Sequence, residues 1–267
     1  MTNPVGSFIW YELATPDPKG ASAFYQAVAG WHFEPSPPSA GMPDYQMIVR
    51  TDGGVAGGVM PLTPAMRQDG MQPGWYGYLA VENVDAATRA IVADGGRILM
   101  PATTITVGTF ALVADPQGVP FYVMTPVAPP DQPDMASDAF SPDAPGHVRW
   151  NELATPDLDG ARAFYARHFA FGTDQAMDMG ELGPYRFIDH HGTVLGAMMR
   201  QPQPGAPGMW LPYIGVPALA AAADAIAANG GAVLLGPHEV PGGDWIVVAR
   251  DPQGVQFGLV GPRGTAE

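Results

Sequence analysis

The chain has 267 residues, 46% apolar and 14% charged, which suits two folded domains that each bury a core without a metal or disulfide. Its 12 basic and 26 acidic residues give a net charge of −14, which disfavours nucleic acids and anionic membranes as partners because like charges repel. The chain contains no cysteine, so disulfides, thiolate nucleophiles and sulfur metal ligands are excluded.

The N-terminal segment MTNPVGSF has neither a basic region nor an apolar core of the kind found in secretory signals. No apolar run elsewhere is long enough to span a bilayer. We therefore expect a cytoplasmic protein.

Short strands and two helices alternate in the first part of the chain. The opening strand ends at Pro16-Asp17, where Asp17 is a helix cap, and the helix ends at Gly30. The predicted elements are a strand over 8–15, a helix over 20–29, strands over 31–34, 45–50, 55–60 and 75–81, a helix over 85–93, and strands over 97–100, 109–114 and 119–124. A β-α-β-β-β order therefore occurs twice.

The same sequence pattern then returns in the second half. The segment 10–25, WYELATPDPKGASAFY, matches 150–165, WNELATPDLDGARAFY, at 12 of 16 positions. The segment 115–121, DPQGVPF, likewise returns as DPQGVQF at 251–257. Two matches so far apart in each half, at nearly one offset, indicate a duplicated domain and not a short repeat.

The two copies are joined by a segment rich in proline and aspartate, PVAPPDQPDMASDAFSPDAPG, over 126–146. It contains no Lys or Arg, and its composition predicts a stiff, solvated connector. We therefore predict domain 1 over 1–127, a linker over 128–142 and domain 2 over 143–267.

The chain resembles the vicinal oxygen chelate superfamily, which includes glyoxalase I, bleomycin-resistance proteins and extradiol dioxygenases. The resemblance lies in the opening strand with its TPD-containing helix, in the mid-domain strands GYLAVENVDAA and PYIGVPALAAA, and in the closing DPQGVPFYV and DPQGVQFGL. It covers both copies and is closest to tandem glyoxalase-like proteins. It implies an α+β fold in which two βαβββ modules per domain form a half-open cup, with helices outside.

Metal-using members of that superfamily hold their ion on four strand positions of the cup. By resemblance, these positions fall on Trp10, Val59 or Met60, Tyr76 and Tyr122 in copy one, and on Trp150, Met198 or Met199, Leu211 and Gly258 in copy two. None of these side chains is an imidazole or carboxylate donor. The resemblance therefore implies that both metal sites are lost, and we expect no metal ion and no cofactor.

The six histidines do not suggest a duplicated metal site, because none has a histidine partner in the other copy. His190 and His191 lie in an Asp-His-His-Gly turn, which predicts a solvated hairpin. His168 is predicted at the surface near the end of a helix.

A Trp-x-Glu pattern survives in both copies. Side chains two apart on a strand share a face, so Trp10 and Glu12 point one way, as do Trp150 and Glu152. A carboxylate beside an indole in an apolar cup can act as a general base or anchor a ligand. Glu12 and Glu152 are the catalytic candidates, and the alternative is that they only close the fold through hydrogen bonds.

Aromatic side chains form the rest of the predicted cup wall, although each alone is also compatible with ordinary core packing. Copy one has a tyrosine where copy two has Gly258, which predicts a more open pocket in copy two. The candidate ligand-binding residues are Trp10, Tyr45, Trp75, Tyr76, Tyr78, Tyr122, Trp150, Tyr185, Trp210 and Tyr213.

These observations favour metal-independent binding of a small, largely apolar molecule in one or both cups. The alternative is a glyoxalase-type lyase, isomerase or dioxygenase, either metal-dependent or using Glu12 or Glu152 as a base. A third reading is an interaction protein whose cups bind nothing. We expect a monomer or a weak homodimer, because the duplication can supply within one chain the pairing that single-domain relatives obtain from two.

Overall fold

The computed structural model describes residues 3–36 and 44–264 and shows an α+β protein. Each copy contributes two modules in which a strand and a helix are followed by three strands. The predicted fold class and the predicted module order are both confirmed.

The bounds of the elements agree with the predicted ones to within a few residues. The exception is the strand predicted over 97–100, which continues to Ile105. Copy one contains β1 (Phe8–Thr15), α1 (Pro18–Ala29), β2 (His32–Pro35), β3 (Gln46–Val49), β4 (Val55–Pro61), α2 (Pro64–Gln68), β5 (Gly74–Ala80), α3 (Val84–Ala93), β6 (Arg97–Ile105), β7 (Gly108–Ala114) and β8 (Pro120–Pro126). Helix α2 lies in a segment predicted as a loop. It forms because Thr63 accepts a hydrogen bond from the Met66 N–H and Pro64 occupies its first turn.

Copy two repeats this order with a short 3-10 helix at Gly180–Leu182. Its elements are β9 (Val148–Thr155), α4 (Leu158–Phe169), β10 (Ala176–Asp178), β11 (Pro184–His190), β12 (Thr193–Arg200), β13 (Met209–Gly215), α5 (Leu219–Ala228), β14 (Ala232–Glu239), β15 (Trp245–Arg250) and β16 (Gln256–Gly261).

The strands form two eight-stranded mixed sheets, ordered β2-β3-β4-β1-β5-β8-β7-β6 and β10-β11-β12-β9-β13-β16-β15-β14. The first and last strands of each module pair in parallel: β1 with β4, β5 with β8, β9 with β12 and β13 with β16. Each of these connections crosses over through a helix and two further strands. In the first sheet Glu12 stands opposite Gly58, and in the second Glu152 stands opposite Ala197. The outer pairs of both sheets are antiparallel and join strands that are consecutive in the chain.

The two first-module helices begin in the same way. Asp17 and Asp157 each accept a hydrogen bond from the backbone N–H three residues later, at 3.0 Å. Helix α1 ends at Gly30, whose φ of 71° is the left-handed conformation that glycine adopts without strain. Within the described residues, none of the helices is both long and apolar enough to span a bilayer.

The compact units of the structure do not coincide with the two copies. Unit 1 consists of the described residues up to Trp10 together with Tyr76–Ser137 and Trp150–Trp210, and unit 2 consists of Tyr11–Trp75, Asp138–Arg149 and the described residues from Leu211 onward. Each unit therefore combines one module of copy one with one module of copy two. In unit 1 α3 packs beside α4, and in unit 2 α1 packs beside α5.

The core of unit 1 contains three side chains linked by hydrogen bonds, which we call the Tyr165 triad. The Trp210 indole N–H donates to the Tyr165 hydroxyl at 3.0 Å, and that hydroxyl donates to Asp115 at 3.2 Å. The other oxygen of Asp115 accepts the backbone N–H groups of Gln117 and Val119, both at 2.9 Å. The triad joins α4 of copy two to the DPQG turn of copy one.

The core of unit 2 contains the reciprocal arrangement, the Tyr25 triad. Trp75 donates to the Tyr25 hydroxyl at 3.0 Å, and Tyr25 donates to Asp251 at 3.3 Å. Asp251 accepts the backbone N–H groups of Gln253 and Val255. The two most strongly repeated motifs of the sequence, the helix ending in Phe-Tyr and the DPQG turn, therefore hold each copy to the other.

The linker is solvated only in part. Residues 129–136, which lie within the predicted linker, are exposed. Beyond them Asp138 binds the buried guanidinium of Arg50 at 2.6 Å, and Ala139 is fully buried. Arg50 also binds Asp52 at 3.1 Å, so the end of the linker is fixed on unit 2 by a charged cluster.

Candidate functional site

The candidate site is built on β9 and β11 in unit 1. Trp150 and Glu152 lie two residues apart on β9 and so share one face of the strand. Tyr185 and Phe187 have the same spacing on β11. All four side chains are partly exposed, so they are accessible to a ligand.

Three of these residues form a second kind of hydrogen-bonded chain, the Tyr185 triad. The Trp150 indole N–H donates to the Tyr185 hydroxyl at 2.9 Å, and that hydroxyl donates to Oε2 of Glu152 at 2.7 Å. The indole N–H is therefore directed at the tyrosine oxygen, and the tyrosine O–H is directed at the carboxylate. This fixes the orientation of the glutamate and of both rings.

Two of the aromatic rings at this triad are parallel, and a third stands nearly perpendicular to both. The Trp150 and Tyr185 rings are parallel to within 1°, with centroids 6.5 Å apart. Phe187 stands at 83° to each of them, with centroids at 6.0 Å from Trp150 and 5.9 Å from Tyr185. The arrangement offers flat apolar faces next to one carboxylate, which is typical of a small-molecule site.

Copy one keeps the tyrosine–glutamate bond in a different setting. The Tyr45 hydroxyl donates to Oε2 of Glu12 at 3.0 Å, over the same separation of 33 residues as in copy two. Here the glutamate is only 2% exposed. The Tyr45 ring lies against Gly58, where an added Cβ would meet the hydroxyl at 1.9 Å, so only glycine fits opposite Glu12.

The tyrosines of the second module of copy one pack on one another in unit 1. Tyr78 stacks on Tyr122 with centroids 4.2 Å apart, and Tyr76 meets Tyr122 edge-on at 6.1 Å. Phe110 packs against both Tyr78 and Tyr122, and all four residues are buried. The predicted ligand-binding role of Tyr76, Tyr78 and Tyr122 thus falls on residues that form a continuous aromatic core.

Copy two does not gain space at Gly258. The Tyr213 ring occupies the position that a larger side chain would take, since a Cβ on Gly258 would lie 2.2 Å from its Cδ1. Tyr213 is 3% exposed. The predicted opening at this position is therefore wrong, because the neighbouring strand supplies the ring that the glycine lacks.

Trp75 and Trp210 lie elsewhere than predicted. Each donates its indole N–H into the buried triad of its unit, against Tyr25 or Tyr165. Trp75 neighbours Tyr76 in sequence, and adjacent residues on a strand point to opposite faces, so Trp75 cannot share a wall with Tyr76 and Tyr78. Trp10, the sequence match of Trp150, is half-buried at the start of β1.

Burial changes the ionisation of the buried triads. Desolvation raises the pKa of Asp115 and of Asp251, although backbone N–H groups partly oppose it. Desolvation also raises the pKa of Tyr25 and Tyr165 well above the ordinary value of a phenol.

The tyrosines and aspartates of the two buried triads hold the fold together, and sequence reasoning missed them. Their exact repetition in both copies was a usable signal. Sequence reasoning also missed Phe187, which the two-residue spacing from Tyr185 could have shown.

The predicted solvated turn holds for only one of the two adjacent histidines. His191 occupies the turn with a φ of 52°, whereas His190 is 4% exposed and lies 2.7 Å from the Val5 carbonyl. Burial lowers the pKa of His190 below its ordinary value. The prediction of a solvated His190 is therefore wrong. His168 is also mostly buried, and it binds Asp94 at 3.0 Å.

The residues at the family's metal positions do not fit a divalent ion. Indole, phenol and aliphatic groups stand there, and the ions used by such sites require imidazole or carboxylate donors. Over 3–36 and 44–264, no three His, Cys, Asp or Glu side chains come together in a way that could hold a metal.

Comparison with known proteins agrees with this architecture. Over 254 residues, covering 95% of this chain and 94% of the relative, the chain is 32% identical to the protein named "Putative glyoxylase CFP32" of Mycobacterium tuberculosis (strain CDC 1551 / Oshkosh). It is 31% identical over 172 residues, 60% of this chain and 59% of the relative, to the "Anthracycline biosynthesis protein DauV" of Streptomyces sp. (strain C5).

Solved structures show the same fold at low identity. The Mn(II)-bound glyoxalase from Novosphingobium aromaticivorans matches with a TM-score of 0.63 at 15% identity, over 96% of this chain and 82% of that one. A 2,2',3-trihydroxybiphenyl 1,2-dioxygenase from Sphingomonas wittichii strain RW1 matches with a TM-score of 0.64 at 13% identity, over 96% and 90%. The family model of the glyoxalase/bleomycin resistance protein/dioxygenase superfamily matches residues 7–123 and 144–259, and the chain belongs to that superfamily.

Proposed function

We propose that the protein binds a small, largely apolar aromatic molecule without a metal ion, and that it does so at Trp150, Tyr185 and Phe187. The observation that carries this proposal is that these three rings are partly exposed beside Glu152, with Trp150 and Tyr185 parallel and Phe187 perpendicular to both. The aromatic residues of copy one's second module are buried against one another instead. Copy two is therefore the better candidate for an occupied site.

Two further points support an aromatic ligand. The family's metal positions lack suitable donors, so binding must rely on contact surface and hydrogen bonds. The Streptomyces relatives are named for anthracycline biosynthesis, and anthracyclines contain fused aromatic rings of the kind that could stack on Trp150 or Tyr185.

The proposal is tested with EDTA-treated protein and a panel of neutral fused-ring compounds, read out by tryptophan fluorescence and by thermal stability. A ligand at 100 times its dissociation constant should stabilise the protein by about 2.7 kcal/mol. Trp150→Ala or Phe187→Ala should weaken binding about tenfold or more, because each removes a stacking face. The matched control is Trp245→Ala, since Trp245 lies on β15 in unit 2. No stabilisation by any compound would contradict the proposal.

A second candidate is a metal-free lyase or isomerase of glyoxalase type, which the name of the Mycobacterium relative favours. Glu152 would then take a proton next to a substrate carbonyl, while Tyr185 fixes the carboxylate through its 2.7 Å bond. Glu152→Gln should abolish turnover, and EDTA should leave it unchanged. Turnover that survives Glu152→Gln would exclude this role.

The proposal also takes the protein to be a cytoplasmic monomer that binds small molecules and neither nucleic acid nor membranes. The pairing of modules from the two copies within each unit supports a monomer, because one chain supplies both partners. Light scattering should give the mass of one chain, 28.0 kDa.

A further inference from the structure

The direction of the hydrogen bonds in the Tyr185 triad limits what a ligand can offer. An indole has one donor and no acceptor, and a phenol has one donor. Trp150 uses its N–H on Tyr185, and Tyr185 uses its O–H on Glu152. The side-chain donors of the site are thus directed inward, and the chain ends on the group with the largest acceptor capacity, a carboxylate with about four lone-pair positions.

A ligand that carries only acceptors finds little to bind in such an arrangement. A carbonyl, carboxylate or phosphate oxygen needs an N–H, an O–H or a metal ion, and it would also be repelled by the carboxylate. A ligand with an N–H or O–H group meets the carboxylate directly. A protonated amine gains in addition from charge, because hydrogen bonds between ionised partners are the strong ones.

The aromatic faces favour the same chemistry. The face of an indole, phenol or phenyl ring is electron-rich and attracts a cation, most strongly for Trp. Trp150, Tyr185 and Phe187 place three such rings within 6.5 Å of one another, centroid to centroid. The net charge of −14 adds a field that concentrates cations and repels anions.

We propose that this site, taken as the binding site proposed above, selects aromatic ligands that carry a hydrogen-bond donor, above all a protonated amine held by Glu152. Copy one lacks this selectivity, because Glu12 is 2% exposed beneath Tyr45 whereas Glu152 is partly exposed.

Three naphthalene probes of one shape test the proposal by isothermal titration calorimetry on the full chain: 2-naphthylmethylamine, 2-naphthylmethanol and 2-naphthoate. The amine should bind about tenfold more tightly than the alcohol, and the carboxylate should bind most weakly. Glu152→Gln keeps the shape of the side chain and removes its charge. It should cost the amine about tenfold in affinity and change the alcohol by less than about threefold.

The controls separate this inference from the proposed function. Glu239→Gln makes the same charge change on the exposed edge strand β14 and should leave the order of the probes intact. Thermal unfolding of each variant shows whether it remains folded. If all three probes bind equally, or if Glu152→Gln leaves the amine unaffected, the selectivity is refuted while aromatic binding stands. If Glu12→Gln removes the amine preference instead, the assignment to copy two is overturned. If no probe binds, the proposed function itself fails.

Discussion

Unit 1 contains the same chemical arrangement twice, once buried and once accessible. In both the Tyr165 triad and the Tyr185 triad, an indole N–H donates to a phenol, and the phenol donates to a carboxylate. Tyr165 is fully buried and Asp115 is 1% exposed, whereas Tyr185 and Glu152 are partly exposed. The bonding pattern alone does not tell a structural element from a binding site.

The surroundings of the carboxylates make the difference. Asp115 also receives two backbone N–H groups from its own turn, so its acceptor positions are used to close the fold. Glu152 is partly exposed on β9, beside the rings of Trp150, Tyr185 and Phe187. Variants that act on one triad and spare the other test whether this division is correct.

The largest effect is expected from separating the two copies. Residues 1–127 alone contain Tyr25 without Asp251, and residues 143–267 alone contain Tyr165 without Asp115, so each half lacks the partner of its buried tyrosine. Neither half should fold as a monomer, and mixing them should restore a cooperative unfolding transition. Circular dichroism and light scattering measure this. A half that is monomeric and unfolds cooperatively would contradict the role of the buried triads.

The next largest effect is expected from removing the central hydroxyl of either triad of unit 1, that of Tyr165 or that of Tyr185. Tyr165→Phe leaves the buried Trp210 N–H without its acceptor and Oδ2 of Asp115 without the tyrosine donor. This should cost about 1–3 kcal/mol of unfolding free energy. Tyr185→Phe removes the same hydroxyl where water can replace it, and should cost less than about 1 kcal/mol. Urea denaturation measures both. Equal costs would mean that burial does not distinguish the triads.

Local sequence patterns account for most of the fold. The strand over 8–15, the Asp17 cap and the four modules follow from local propensity and spacing, and the structure has them. The pairing of modules across copies could not be read in this way, because the partner of Tyr25 is 226 residues away.

The candidate site was predictable only in part, for the same reason. Trp150, Glu152 and Tyr185 were found through their repetition, but repetition does not reveal exposure, which separates Glu152 from Glu12. Likewise, Trp75 was placed on the cup wall although strand alternation puts it opposite Tyr76. His190 is buried by Val5, a contact across 185 residues that no local pattern indicates.

A smaller effect should appear in the pH dependence of stability. Burial raises the folded pKa of Asp115 above its ordinary value, so the folded state binds this proton more tightly than the unfolded chain. The stability that this carboxyl contributes is present at acidic pH and is lost as the pH rises through the raised pKa.

The variant Asp115→Asn tests this, because it removes the titrating proton and keeps an oxygen for the backbone N–H groups. The stability of the wild type relative to this variant should therefore fall as pH rises from about 3.8, the unfolded value. A stability difference that rises with pH would contradict the assignment.

The smallest effect concerns His190, which is buried against Phe171 and the Val5 carbonyl in unit 1. Its folded pKa is lowered, mainly by desolvation, so the unfolded chain binds a proton more readily than the folded one. Stability from this group is therefore present above the unfolded pKa of about 6.5 and is lost as the pH falls toward the folded value. His190→Gln should reduce the slope of unfolding free energy against pH below about 6.5.

His191→Gln, in the exposed turn beside it, is the matched control and should leave the slope nearly unchanged. Urea denaturation at several pH values between about 5 and 7.5 measures this slope. If the His190 variant retained the full slope, the acid sensitivity would have to come from other groups, and the buried position of His190 would be a matter of packing alone.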